Sequence, residues 1–198
     1  VWQDLDTFLL QTFEKPDGTK MKLSCVCIDS GGHRTNQVYK FCKARFSRRV
    51  FAIRGSNDSA AAYIQKPSKN NREGAYLFTL GVDTGKSLLM DRLKVEDEGP
   101  GFCHFPKEES KGYDEKYFKG LTSEKKVMRY KMGRPYFAWE LKDKGEHKRN
   151  EALDCRNYAT AAIEIANVPL KKRKKKEETP QTVKRVVKRG RRRSGGIL

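Results

Sequence analysis

An apolar run that ends in a carboxylate is the feature that most constrains the fold. Residues 21–28 end in Cys-Val-Cys-Ile, and Asp29 follows at once with the flexible turn 30–32, Ser-Gly-Gly. The run predicts a buried strand. Thr35 can then cap a helix, and residues 49–53 predict a second strand. A strand, a helix and a strand at this spacing form a βαβ unit, so we expect two parallel strands in an α/β protein.

The rest of the chain adds helices and strands to this unit. Residues 57–74 are polar and irregular, which predicts a mobile basic loop. The hydrophobic spacing predicts helices over 2–13, 86–93 and 113–120, a strand over 76–80, and a hairpin of 127–132 and 136–142. Together these elements indicate a mixed central sheet flanked by helices.

A long helix closes the patterned part of the chain. Asn150 is a suitable N-cap, and Pro169 ends the helix. Small apolar side chains recur at helical spacing and predict its core face. They are Ala152, Cys155, Ala159, Ala162, Ile163 and Ala166.

Positive charge is concentrated at the C-terminus. The 198 residues carry 43 Lys and Arg against 25 Asp and Glu, a net charge of +18. Residues 171–198 account for +11 of it and residues 1–170 for +7. We therefore predict a folded domain over 1–168 and a disordered basic tail over 169–198. Both parts favour a polyanionic partner, most simply nucleic acid, over charge that serves solubility alone.

The cysteines and the hydropathy exclude other classes of protein. The five cysteines are odd in number and include no CxxC pair, which indicates reduced core thiols in a reducing cytosol. No apolar stretch approaches the length of a membrane span, and no signal peptide is recognisable, so no membrane partner is expected.

Two carboxylates are the main candidates for catalysis. Asp29 follows a strand and Asp154 lies in the first turns of the last helix, with Glu151 one turn earlier on the same side. Acidic side chains from different elements can hold two divalent ions for phosphodiester hydrolysis. The alternative is structural: Asp29 forms an Asx turn, and Glu151 and Asp154 complement the helix dipole.

A glycine-rich segment, 81–87, resembles a phosphate-binding loop. Its sequence is Gly-Val-Asp-Thr-Gly-Lys-Ser, and it follows a predicted strand. A P-loop needs four residues between its two glycines, whereas Gly81 and Gly85 enclose three. We therefore exclude ATP binding here, leave contact of this helix start with a DNA phosphate open, and keep Asp83 as a further candidate metal ligand.

Basic side chains of the loop and tail are the candidates for DNA contact. Each Lys or Arg that neutralises a phosphate releases a counterion, which gives affinity without sequence preference. The candidates are Arg54, Lys66, Lys69, Arg72, Lys171, Lys172 and Arg173.

The order of several short segments is more specific than any one of them. The chain resembles the large terminase subunits of lambda-type tailed phages over about residues 1–168. The segments are residues 28–33 (IDSGGH), 51–55 (FAIRG), 81–84 (GVDT), 99–101 (GPG), 104–106 (HFP), 117–124 (YFKGLTSE) and 149–156 (RNEALDCR).

The resemblance implies one part of an ATP-driven DNA-packaging motor. In that family an N-terminal ATPase, which is missing from this chain, binds ATP and pumps DNA, and a C-terminal ribonuclease-H-like nuclease cuts the concatemer. The family's nuclease uses three acidic positions with two Mg²⁺ or Mn²⁺ ions. Asp29 matches the second and Asp154 the third, and the first would precede Val1. The family usually has Lys where Arg54 stands.

The same resemblance implies the partners and the setting. The expected partners are double-stranded viral DNA, the small terminase subunit and the procapsid portal, and the expected location is the host bacterial cytoplasm. Because the first carboxylate would lie upstream, the fragment alone is expected to lack a full metal site. The alternative function is a non-catalytic DNA-binding or procapsid-docking module, in which the acidic residues are structural.

Overall fold

The computed structural model describes residues 1–142 and 149–167. Predictions for the tail, 169–198, and for Lys171, Lys172 and Arg173 lie outside these residues. The elements are α1 (Trp2–Leu9), β1 (Phe13–Glu14), β2 (Lys20–Met21), β3 (Val26–Asp29), α2 (Thr35–Ala44), β4 (Val50–Gly55), β5 (Leu77–Leu80), α3 (Val82–Leu93), α4 (Glu115–Leu121), β6 (Glu124–Lys131), β7 (Arg134–Leu141) and α5 (Glu151–Ala166), with short 3-10 helices at Phe46–Arg48 and Glu109–Lys111.

A parallel sheet of β3, β4 and β5, in that order, forms the centre of the fold. Asp29 pairs in register with Ile53, which in turn pairs with Phe78. The predicted βαβ unit is confirmed, since α2 connects β3 to β4. The predicted mixed sheet is not what forms. Among the described residues, antiparallel pairing along β5 consists of isolated bridges from Ile64 and Ser68.

The N-terminal segment differs from the prediction. The predicted helix over 2–13 ends at Leu9, because Phe13 and Glu14 pair with β2 across a turn in which Gly18 has a φ of +78°. The predicted buried strand over 21–28 is reduced to β3, whose apolar residues are half-buried. The hydrophobic run continues beyond the paired backbone, so it overestimates the strand.

Helices cover both faces of the sheet. On one face, α1 and α2 pack against alternate strand residues around Val50, Ala52 and Leu77. On the other, Ile53 and Leu80 pack against Ala161 of α5. Successive side chains of a strand point to opposite faces of the sheet. Because helices cover both faces in this three-layer arrangement, odd- and even-numbered strand residues are both apolar. An ion pair also connects α1 to the segment after α2. Arg45, which follows α2, donates to both carboxylate oxygens of Asp6, on α1, at 2.7 and 2.8 Å.

The predicted core face of α5 is correct only in part. Ala162 is buried and Ala152 packs half-buried against a core cluster, but Cys155, Ala159 and Ile163 are exposed. The helix also buries Leu153, Asn157, Thr160 and Ala161. The Tyr63 hydroxyl lies 3.0 Å from the acceptor Asn157 Oδ1 and 2.7 Å from the Asn157 backbone carbonyl, and the Asn157 side-chain amide donates to the Val82 carbonyl at 3.3 Å. These bonds offset the cost of burying a polar side chain, which hydrophobic spacing cannot anticipate.

The predicted hairpin is confirmed, with longer strands than expected. β6 and β7 pair over all eight residues of each strand. Met132 and Gly133 have φ angles of +48° and +76°. Positive φ at both central residues is the pattern of a type I′ turn, whose twist suits a two-residue hairpin. Among the described residues, no helix is long and apolar enough to cross a lipid bilayer.

The helix predicted over 86–93 begins four residues earlier, at Val82, and Gly85 sets its distance from α5. A methyl group at Gly85 would collide with the Tyr63 ring and the Asn157 side chain. We expect Gly85→Ala to lower the free energy of unfolding by about 1–3 kcal/mol, because overpacking outweighs the gain in helix propensity. Urea denaturation would measure it, with Gly99→Ala, where nothing lies within 4 Å, as the neutral control. A Gly85→Ala protein as stable as the wild type would contradict this packing.

Candidate functional site

Asp29 lies at the carboxyl end of β3, where its side chain is exposed. One carboxylate oxygen accepts a hydrogen bond from the Gly31 amide at 2.8 Å, which is the Asx turn of the structural alternative. Asp29 also lies near the Tyr158 phenol on α5, whose pKa is raised by burial and then by the Asp29 charge. The turn orients this carboxylate without removing its charge, so the structural interpretation and the catalytic one are compatible.

Asp154 lies in the first turn of α5 and is half-buried. Burial raises the pKa of its carboxyl group, and the charges of Glu124 and Asp29 raise it further. Lys86 opposes these effects, because its ammonium lies 3.2 Å from the carboxylate. Burial is also the main cause of the raised pKa of Tyr158, followed by the charges of Asp29 and Asp154. The charge of Asp29 therefore raises the pKa of Asp154, and the charges of both carboxylates raise the pKa of the Tyr158 phenol on α5.

Asp154 contacts a buried ion pair formed by Lys86 and Glu124. Lys86 and Glu124 are only 6% exposed, and the ammonium lies 3.0 and 2.8 Å from the two Glu124 oxygens. Asn150 is the N-cap residue of α5, as predicted, but its side chain makes no cap bond to the helix; its amide donates to Glu124 at 2.6 Å instead. Lys86 thus joins a carboxylate at the base of the hairpin to one on α5.

The sequence does not identify Lys86 or Glu124 as functional residues. Lys86 is the lysine of the segment that resembles a phosphate-binding loop, but its ammonium is buried against carboxylates rather than open to a phosphate. Glu124 belongs to one of the segments that carry the family resemblance, without an assigned role. The two residues are 38 positions apart, and only the packing of β6 against α3 brings them together.

The two further candidate ligands occupy different environments. Asp83 is half-buried, and burial raises its pKa. Lys86 and Lys126 lower that pKa and Glu124 raises it, so Asp83 belongs to the charged cluster at the start of α3. Glu151 is exposed, and its charge adds to burial and to the charge of Asp154 in raising the pKa of the Cys155 thiol. Glu151 therefore lies towards the solvent side of α5.

The four predicted DNA-binding side chains that lie within the described residues are not all on one surface. Arg54 is exposed near the carboxyl end of β4, but it follows Ile53, the register partner of Asp29, so it lies on the opposite face of the sheet. Lys69 lies 4.3 Å from the ring centroid of Tyr76, which precedes β5, so it is at the other end of the strands. Lys66 and Arg72 are exposed in the same loop.

The two carboxylates are donors of the kind that a divalent cation requires. Carboxylate oxygens are the hard donors that Mg²⁺ and Mn²⁺ prefer, and Asp29 and Asp154 meet this requirement. The described parts of the chain contain no group of three or more His, Cys, Asp or Glu side chains placed to share an ion. The donor set fits a divalent cation that takes its remaining ligands from water, substrate or another acidic side chain.

Comparison with known proteins assigns this arrangement to a family. Residues 1–176 match the family described as terminase large subunit gpA, endonuclease domain. The terminase large subunit of Escherichia phage lambda is 33% identical over 166 residues, which are 82% of this chain and 25% of that protein. The corresponding subunit of Enterobacteria phage P21 is 30% identical over 167 residues, with the same coverage. The chain thus spans about a quarter of each relative. No solved structure matches it.

Proposed function

Because the chain belongs to the endonuclease-domain family of the terminase large subunit gpA, we propose that it cuts concatemeric viral DNA during genome packaging. The reaction is metal-dependent hydrolysis of a phosphodiester bond. The observation that carries this proposal is the placement of Asp29 and Asp154, on β3 and α5, next to the same tyrosine. A strand-end carboxylate facing a helix carboxylate is also what a ribonuclease-H-like fold requires.

Asp29 and Asp154 are the residues that would hold Mg²⁺ or Mn²⁺. When bound, two such ions supply an activated water and neutralise the leaving oxygen. The resemblance implies a third carboxylate, on a strand before Val1, to complete the donor set. The chain's own residues position the two carboxylates: the Gly31 amide donates to Asp29 at 2.8 Å, and the Lys86 ammonium lies 3.2 Å from Asp154.

The simplest test is nicking of supercoiled plasmid by a protein extended upstream of Val1. We expect nicking with Mn²⁺ or Mg²⁺ and none with EDTA. Failure of the extended protein to nick DNA in either metal would overturn the proposed activity. The reaction would take place in the host bacterial cytoplasm, with the small terminase subunit and the procapsid portal as protein partners.

A second candidate function is a non-catalytic module that binds DNA or docks on the procapsid. Two observations favour it: the described residues bring no three acidic ligands together, and Lys86 already neutralises charge beside Asp154. Loss of nicking in the Asp29 and Asp154 variants of the extended protein would exclude it, because a non-catalytic module has no cleavage to lose.

The basic tail gives an independent prediction about DNA affinity. Residues 171–198 carry a net charge of +11. Each phosphate contact contributes about −0.9 to the slope of log affinity against log salt for duplex DNA. Deleting residues 171–198 should therefore weaken binding at low salt and flatten that slope, which a salt titration with and without the tail would measure. Equal slopes would indicate that the tail contacts a protein, such as the portal, instead.

A further inference from the structure

The β6–β7 hairpin exposes large apolar side chains, which is unusual for a two-stranded sheet on a protein surface. Tyr130 is 69% exposed, and Met128 and Phe137 are more than half exposed. Met132, at the turn, is 96% exposed. A contiguous exposed patch of this kind indicates a binding surface.

The apolar side chains share a face with residues of the candidate site. Side chains alternate along a strand, so Met128 and Tyr130 lie on the same face as Glu124 and Lys126. Phe137 is the register partner of Met128 on that face. At the base of the hairpin, Glu124 pairs with Lys86, and the Lys126 ammonium donates to the Ser87 hydroxyl at 3.1 Å. The exposed ribbon therefore extends directly from the Asp154 cluster.

Charge indicates the chemistry of the partner. Residues 125–139 contain five basic side chains and no acidic one. Lys131 and Arg134 face each other in register beside the turn, and both are exposed. Arg129 is bound to Glu140, at 2.7 and 2.6 Å, on the same face as these two. Away from the base of the hairpin, one face of the ribbon is thus mainly basic and the other mainly apolar, a combination that complements a polyanion with apolar groups between its charges.

We propose that the β6–β7 hairpin is an arm that holds duplex DNA next to the Asp29–Asp154 site. This inference rests on the proposed function and names the surface that positions its substrate. Lys131 and Arg134 contact phosphates, and Tyr130 and Phe137 contact sugars and base edges. A two-stranded ribbon is narrow enough to enter the major groove, and apolar side chains are used to wedge against base steps in the minor groove.

The first test distinguishes phosphate contacts made by the hairpin from the effect of the protein's net charge. The 198-residue chain carrying Lys131→Gln and Arg134→Gln should bind a short duplex with a salt slope smaller by about 1.8, because two phosphate contacts are lost. The matched control is Lys20→Gln with Lys22→Gln, two exposed cations in and beside β2. If the two control substitutions lower the salt slope as much as the two hairpin substitutions, the change in slope reflects net charge. The proposal that the hairpin contacts DNA is then rejected.

The second test addresses the apolar face. Tyr130→Ser with Phe137→Ser should weaken duplex binding on the order of tenfold, the scale of one aromatic contact with a base, and leave the salt slope unchanged. The control is Phe8→Ser on α1, where the side chain is 52% exposed, as it is at Phe137. Circular dichroism of each variant verifies that the fold is retained, which the exposure of all three side chains leads us to expect.

The outcomes distinguish this inference from the proposed function. If both hairpin double variants bound duplex DNA with the affinity and salt slope of the wild type, the proposed role of the hairpin would be rejected. It would also be rejected if the unmodified chain did not bind duplex DNA. In that case the apolar face would be a protein-docking surface. Metal-dependent nicking by the extended protein would still support the nuclease. Conversely, hairpin-dependent DNA binding without any nicking would support the arm and reject the proposed activity.

Discussion

Asp29→Asn and Asp154→Asn, each in a protein extended upstream, should reduce plasmid nicking by roughly 100- to 1000-fold or more, the scale of losing one group that stabilises the transition state. Asparagine keeps the size of the side chain but not its charge, so it is a poor ligand for a divalent cation. At position 29 it can still accept the Gly31 amide bond, and the local turn should survive. DNA affinity should be nearly unchanged, because Lys and Arg make the phosphate contacts.

Two matched controls make this result specific. Asp58 also accepts an amide hydrogen bond two residues on, from Ala60 at 2.9 Å, so Asp58→Asn tests the effect of amidating an Asx turn. Asp91 is an exposed helix carboxylate paired with Lys94, so Asp91→Asn tests the loss of one surface charge. Both controls should nick at the wild-type rate. Wild-type nicking by Asp29→Asn and Asp154→Asn as well would reject the metal assignment.

Removing the buried ammonium is the substitution with the largest expected effect on stability. Lys86→Met should lower the free energy of unfolding by about 3–5 kcal/mol, because it leaves the Glu124 carboxylate buried without its cation. The double variant Lys86→Met with Glu124→Gln should recover much of that loss, since the glutamine is neutral and can still accept from Asn150. Urea denaturation at constant m-value would measure both changes.

The control for this experiment is an exposed pair on the same helix. Lys94 lies 3.0 Å from Asp91, and both side chains are more than 70% exposed. Lys94→Met should change the free energy of unfolding by less than about 1 kcal/mol, because solvent screens such pairs. If Lys86→Met lowered the free energy of unfolding no more than Lys94→Met, the buried ion pair would contribute little to stability. The interaction of Lys86 with Asp154 would then also be weak.

The βαβ unit and the position of Asp29 are predictable because their signals are local. An apolar run, a Ser-Gly-Gly turn and a helix follow one another within about twenty residues, and each step has a separate cause in backbone chemistry. The hairpin is predictable for the same reason, since its turn glycine adopts a positive φ. The family assignment, which the comparisons confirm, also depends on short segments in a fixed order.

The α5 face and the Lys86–Glu124 pair are not predictable in this way. Small apolar residues occur around the whole of α5, so spacing alone does not determine which of them face the core. The buried face holds Asn157 and Thr160, and Asn157 is hydrogen-bonded by residues far away in the chain. Likewise, nothing near Lys86 in the sequence indicates that it meets Glu124. Tertiary contacts determine both features.

The assembly of the site from β3, α3, β6 and α5 has a consequence for the order of events during synthesis. Asp29 is made before Asp154, which lies on the last described helix, and Lys86 and Glu124 fall between them. Contacts between such distant segments form late, because closing long loops costs entropy before any contact stabilises them. A nascent or cleaved chain that lacks α5 therefore has the strand carboxylate but not its partner. Under the proposed function, competence to cut DNA would therefore require the whole domain to be folded.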